Sequence, residues 1–352
     1  MHLSRRFPVI LAVVTLFAVQ GAQTWAQDAA VDPDSAPSET GIAGDANADV
    51  LQPGSGAPAS ISNRMAPTDE EAAAGPPPDP AYGAYQRGYY LTAFQLALPR
   101  AQMGDPAAQT LIAELYDKGL GIPRDGKEAT QWFGIAAKSG DTEAQFAYAV
   151  KLLEGRYVKA DPEEARRLMK VAADHGHPTA AYNYGQMVLD RRPTTEGARE
   201  ALKYFELAAE KELPDAYFAL AQLYEAGIVS GYPEIGKAHS WLLKAAQAGI
   251  DNAQVELAIW LLNGKGTEKD PKQAFQWMRQ AAMRGNVVAQ SRLARMFAEG
   301  IGVQRDRIEA AKWHIVARRA GLTDAWLDEF LVGLPKKDFS TALSRANSWR
   351  GS

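Results

Sequence analysis

The chain has 352 residues, no cysteine, 23% charged side chains and a formal net charge of −4. Near-balanced charge excludes a broad electrostatic attraction for nucleic acid, and the lack of thiols excludes thiol catalysis, thiolate metal sites and a lipidated N-terminal cysteine. The length accommodates two or three domains or one extended array.

The chain begins with Arg5 and Arg6 before an apolar run from Val9 to Val19, eleven residues long. Such a run is too short to span a bilayer and suits the central part of a signal peptide. Thr24 and Ala26 satisfy the small-residue rule for cleavage, so residues 1–26 are expected to leave and the mature chain to start near Gln27. Pro8 stands where the twin-arginine signal prefers a large apolar residue, which favours the general secretory route. The alternative is an uncleaved N-terminal anchor. From 27 to 80 the chain holds nine prolines, no aromatic residue, ten acidic residues and one basic residue, Arg64. That composition buries too little apolar surface to offset conformational entropy and predicts a disordered acidic linker. The first 26 residues carry +2 and the linker −9, which leaves a mildly basic remainder at +3.

Beyond the linker one unit recurs. Leu115 to Asp125 reads LYDKGLGIPRD and Met296 to Asp306 reads MFAEGIGVQRD. Anchored on Ala108, Ala144, Ala180, Ala216, Ala253, Ala289 and Ala325, the period is 36 residues, with one extra residue around Ser230-Gly231. A second series, Gly104, Gly140, Gly176, Gly249, Gly285 and Gly321, closes the units, with Glu212 as the exception. Counting from the anchor alanine, positions +4, +5 and +8 are apolar or small, as in Ile112, Ala113 and Tyr116, which marks one face of a first helix, A. A glycine at +11 (Gly119, Gly155, Gly227, Gly264, Gly300) predicts its left-handed stop.

A second helix, B, is predicted to start at Asp125, Asp161, Asp270 and Asp306, each an N-cap with Glu128, Glu164, Gln273 or Glu309 three residues on as a capping-box partner. These acidic pairs also resemble general acid–base dyads, but their place at helix starts reads as capping. Each helix B then carries a bulky residue (Trp132, Leu168, Tyr204, Trp241, Trp277, Trp313) and a pair of alanines, a pattern expected for a knob packed beneath the next unit. Arg191 replaces the helix-ending glycine of the third unit, whose loop RRPTTEG is expected to be atypical.

The string AxxxLAxxYxxGxGxxxDxxxAxxWxxxAAxxG resembles the Sel-one-like repeat (SLR) family, a relative of the tetratricopeptide repeat. Six copies cover 105–321, as 105–140, 141–176, 177–212, 213–249, 250–285 and 286–321. The stretch 81–104 resembles a shortened leading helical pair, and 322–352 a C-terminal cap of two short helices broken near Leu334-Pro335. The resemblance implies an all-α, right-handed solenoid with helix A on its concave side. It also implies a non-enzymatic scaffold or adaptor role, including exported members that bind envelope partners or sensor kinases.

Candidates for chemistry are sparse. His175 and His177 are the one close histidine pair, with His177 at a helix start; His239 and His314 stand far apart in the array. No phosphate loop, HExxH or GxSxG motif is present. Four of the eight tryptophans fall on the packing position and read as core rather than as a sugar-binding surface. No cofactor, metal or catalytic residue is expected.

By analogy with tetratricopeptide repeats, positions +2, +6 and +9 of helix A face the groove. They are Phe146, Val150 and Leu153; Tyr182, Gln186 and Leu189; Phe218, Gln222 and Glu225; and Val255, Ile259 and Leu262. The end units are polar there, with Thr110, Glu114 and Asp117 at one end and Ser291, Arg295 and Ala298 at the other. The spacing fits two arrangements: an exposed stripe for a protein or peptide partner, or side chains buried between neighbouring helices A. The expectation is a periplasmic or secreted binder of protein or peptide, without nucleic acid and without stable membrane insertion after signal cleavage. A cell-wall or polysaccharide-associated hydrolase or binding protein is the alternative.

Overall fold

A computed structural model describes residues 79–349. The expected signal peptide and nearly all of the expected linker lie outside these residues. Sixteen α-helices, and no strand, make up the described residues. Backbone contacts divide the chain between Leu96 and Ala97. Within the first unit lie α1 (Pro80–Gln86) and the beginning of α2 (Tyr90–Gln102). The Asp79 carboxylate accepts from the Ala81 and Tyr82 amides at 2.9 and 3.3 Å and starts α1.

The second unit holds the repeats as helix pairs: α3 (Pro106–Lys118) with α4 (Gly126–Lys138), α5 (Thr142–Glu154) with α6 (Pro162–Asp174), and α7 (Pro178–Arg191) with α8 (Thr195–Glu210). They continue as α9 (Pro214–Ala226) with α10 (Ile235–Gln247), α11 (Asp251–Asn263) with α12 (Pro271–Met283), and α13 (Val287–Glu299) with α14 (Arg307–Arg319). The chain ends in α15 (Ala325–Val332) and α16 (Lys336–Ser348), on either side of Pro335. From α3 to α14 consecutive helices pack on one another, and α14 also packs on α16. This is a helix-pair solenoid.

The repeat's fixed positions explain its geometry. The anchor alanines of the six repeats and the paired alanines of helix B are almost wholly buried, which lets helices approach closely, whereas Ala325 in the C-terminal cap is exposed. Gly119, Gly155, Gly227, Gly264 and Gly300 end their helices at φ of 65 to 79°, the region that a Cβ disfavours. The ladder position between units is also left-handed, so Glu212, at φ 59°, is the one non-glycine of the described residues with positive φ.

The aspartates at +17 do cap helix B. Asp125 Oδ1 accepts from the Lys127 and Glu128 amides, and Asp161, Asp270 and Asp306 accept in the same way. The expected reciprocal half of the capping box does not form. Each cap amide donates instead to a carbonyl of its own helix A: Asp125 to Tyr116, Asp161 to Leu152, Asp270 to Leu261 and Asp306 to Phe297. The hydrogen bond ties the two helices together and frees the glutamate side chain.

The expected knobs Leu168, Tyr204 and Trp313 are buried at 5%, 2% and 4% exposure, but in the other three units the core position shifts by one residue. Trp132, Trp241 and Trp277 are only partly buried. The residues after them, Phe133, Leu242 and Met278, are at 4%, 0% and 1% exposure, as are Met169, Phe205 and His314 at 0% in the other units. In the third unit α7 runs on to Arg191, and Thr194 caps a longer α8 through the Gly197 amide, so the loop contracts rather than extends.

Candidate functional site

The twelve stripe residues fall into distinct settings. Phe146 is half-buried and stacks on the His177 ring at 4.4 Å. Tyr182 is half-buried, 5.6 Å from the Phe205 ring. Val150, Leu189, Phe218, Ile259 and Leu262 each present one side to the core and one to solvent. Leu153 is exposed at 43%. Gln186, Gln222 and Glu225 are half-buried. Val255 is a correction to the stripe: at 8% exposure it belongs to the core. In the end units Thr110 and Ser291 are buried at 7%. Asp117 pairs with Lys151 at 2.8 Å and Arg295 with Asp324 at 2.7 Å. Phe146, Tyr182 and Phe218 are thus half-buried in the second to fourth units, and the end units carry ion pairs.

Polar contacts between units follow a register that the sequence reading missed. In the second and fifth units the residue just before the anchor alanine meets the cap residue of the next helix A. Glu143 Oε2 lies 3.1 Å from His177 Nε2, and Asn286 Nδ2 donates to Asn252 Oδ1 at 3.3 Å, both 34 residues apart. The His177 contact holds the Glu143 carboxyl below its ordinary value. His177 Nδ1 meanwhile accepts the Ala180 amide, so both ring nitrogens of the histidine pair's second member serve the helix start.

The third and fourth units lack this contact: Thr179 and Asp215 hold the position before the anchor, and the cap residues that follow, Leu213 and Ile250, make no side-chain cap bond. Asp215 is exposed, yet surrounding protein pushes its carboxyl up from the ordinary value. The Asp190 carboxyl is exposed and raised for the same reason. Beside Asp215, the Tyr182 hydroxyl is pushed up to about 12, first by burial and then by the Asp215 charge, while a Gln186 hydrogen bond pulls the other way. A second acidic group lies one unit on. Glu225 pairs with Lys265, whose ammonium sits 4.3 Å from the centre of the Trp260 ring. Glu256 meets the same Glu225, and burial followed by that contact raises its carboxyl to about 8.

No group of three or more His, Asp or Glu among the described residues is placed to hold a metal ion. An open hollow of about 640 Å³ lies at the C-terminal helices, between Ile315, Leu331, Phe339 and Leu343. None of the described helices is long and apolar enough to cross a membrane.

Comparison with known proteins follows the same register. The Sel1 repeat family model matches residues 106–141, 142–177, 178–213, 214–250, 251–286 and 287–322. Among solved structures, the chain resembles a protective antigen present in uropathogenic Escherichia coli strains displaying an SLR fold, with a TM-score of 0.64 and 26% identity. That match covers 78% of this chain and 61% of the antigen, so this chain spans less than two thirds of it. A Sel1 repeat protein from Oxalobacter formigenes matches with a TM-score of 0.61 and 26% identity, over 69% of this chain and 97% of that one. No curated protein sequence matches.

Proposed function

This chain belongs to the Sel1 repeat family, and from that premise we propose that it is a non-catalytic, exported scaffold that seats a protein or peptide partner on its helix-A face. Proteins of this family act as protein-interaction scaffolds. The observation that carries the finer reading is the row Phe146, Tyr182 and Phe218. All three rings are packed against the core on one side and open to solvent on the other. Half-buried aromatics with a fixed backing lose little entropy on contact and carry a disproportionate share of interface energy, about 2 kcal/mol or more each. The reading of residues 1–26 as a signal peptide supports a periplasmic or secreted location and a role in an envelope or sensor-kinase pathway.

Two measurements test this. Tyr182 and Phe218 are replaced by serine, and thermal melting is followed alongside capture of the partner by the mature protein from periplasmic extract. Native melting with loss of a partner that the parent protein retains supports the face. A collapse of the melting temperature would make the stripe part of the core and end its claim as a binding surface. N-terminal sequencing of the processed protein tests export, and a retained Arg5-Arg6 in a membrane fraction would overturn it.

A further inference from the structure

We infer that the joint between α8 and α9 is a hinge in the repeat array, about which the units that carry Phe146 and Tyr182 turn relative to the unit that carries Phe218. The inference concerns how the array moves, and it holds whether or not the helix-A face is the binding surface.

Among the described residues six joints lead into a helix A, and three devices fasten them. The first is a side-chain cap. Asp105, Asp141, His177 and Asn286 each accept an amide from the first turn of the helix that follows. The second is a glutamine just after the anchor alanine, whose Nε2 reaches back to a carbonyl near the end of the preceding helix. Gln109 bonds Ala101 in this way, Gln145 bonds Ala137, Gln254 bonds Ala246 and Gln290 bonds Ala282. The third is a glycine in the left-handed turn, at φ of 85 to 97° in Gly104, Gly140, Gly176, Gly249 and Gly285.

The joint into α7 keeps its cap and its glycine, and the joint into α11 keeps its glutamine and its glycine. The joint from α8 to α9 has none of the three. Leu213 makes no side-chain cap bond. Tyr217 stands where the glutamine would be and turns forward, stacking on Trp241 of α10 at 5.8 Å. Glu212 carries the positive φ, 59°, which a residue with a Cβ holds only at a cost. The first turn of α9 is tightened as well. The Leu213 carbonyl accepts from the Ala216 amide, three residues on, at 3.1 Å, whereas in the other five helices A the cap carbonyl bonds the amide four residues on.

What crosses this joint is mainly apolar. Ala208 and Ala209 of α8 share one buried cluster with Ala216 and Leu220 of α9. The Tyr224 hydroxyl donates to Glu206 across the same pair of helices, but at 3.3 Å and in an exposed position. Apolar burial is non-directional, whereas caps and amide hydrogen bonds fix angles. The joint therefore stays packed while its helices slide, as in shear movements of packed elements. The spacing between Tyr182 on α7 and Phe218 on α9 varies with the hinge angle.

The test uses the full mature chain. It has no cysteine, so spin labels attach only to cysteines introduced at exposed positions of helix B. Gln131→Cys with Lys203→Cys spans two units before the joint, and Lys203→Cys with Gln276→Cys spans two units across it. Double electron–electron resonance is expected to give a broader distance distribution for the second pair. Glu212→Gly, Leu213→Asp and Tyr217→Gln together restore the three fasteners, and in that background the second distribution is expected to narrow to the width of the first. Hydrogen exchange in the first turn of α9 is expected to slow roughly tenfold or more, the combined scale of a cap and a hydrogen bond. Thermal melting checks that each protein is folded, and Leu213→Asp alone carries the comparison if the triple variant does not fold. Equal widths for the two pairs in the parent array would overturn the hinge. A second distribution that stays broad with the fasteners in place would overturn it too.

Discussion

Gln254 is wholly buried, and the reason is a single hydrogen bond. Its Nε2 donates at 3.0 Å to the Ala246 carbonyl near the end of α10, which also accepts from the Gly249 amide. Gln109, Gln145 and Gln290 make the same contact to Ala101, Ala137 and Ala282. Each glutamine staples helix A to the helix before it. Glu256, two residues beyond Gln254, has an opposite effect on stability. It is half-buried on α11, faced by Glu225 of α9 and by Lys265 in the loop after α11, with the Trp260 indole on its own helix. Burial and then Glu225 raise its carboxyl from 4.5 to about 8, with Lys265 and Trp260 pulling the other way. The folded state holds this proton more tightly than the unfolded state. The associated stability is fully present below about pH 4.5 and is lost as pH rises through about 8. Glu256→Gln cannot ionise. It is therefore expected to melt above the parent protein at about pH 9, with a gap that closes towards about pH 4. Melting curves across that range check this, and a gap that does not change with pH would show that the proton is not the cause.

At the scale of elements, the glycine-x-glycine loop after helix A carries two different constraints. The first glycine ends the helix; the second lets neighbouring units touch. A Cβ on Gly302, at φ 69°, would stand 1.8 Å from the Pro271 carbonyl oxygen at the start of α12. A Cβ on Gly140, at φ 92°, meets nothing within 4 Å. Gly140→Ala is thus expected to cost only the backbone conformation, about 1–2 kcal/mol, and Gly302→Ala about 3 kcal/mol or more, because backbone must move as well. Denaturant unfolding of the two variants separates them, and equal losses would mean that the loop does not set the spacing between units. Helix ends of this kind were legible in sequence because caps act within a few residues: Asp125, Asp161 and Gly119 behave as read. The failed half of the capping box and the knob displaced from Trp277 to Met278 were not legible. Both depend on what the partner helix presents, and a 36-residue period repeats at either position equally well.

At the scale of the whole repeat array the candidate site was legible only in part, for a related reason. Periodicity locates the helix-A face, including Phe146, Tyr182 and Phe218. Periodicity did not show that Val255, on the same face, is packed into the core at 8% exposure, because that depends on what the neighbouring helices present. Stability is organised by the same nearest-neighbour rule, because helices of this array touch their chain neighbours and little else. The C-terminal cap then protects one unit, not the molecule. Ile315 and Val316 of α14 are covered by Ala342 and Ala346 of α16, Trp313 meets Trp349 edge-on at 5.7 Å, and His314 Nε2 lies 2.9 Å from Asp328 of α15. Ending the chain at Gly321 uncovers this face, at roughly 1.5–3 kcal/mol for each large side chain. The loss enters the array at α14 and can pass inward only through α13. Hydrogen exchange is therefore expected to accelerate strongly in α13 and α14, less in α12, and not measurably in α7 and α8, with helicity lost beyond that of the removed segment. Protection that falls evenly along the array would mean that the units unfold as one cooperative body, and coupling would then have to reach further than the neighbouring helix.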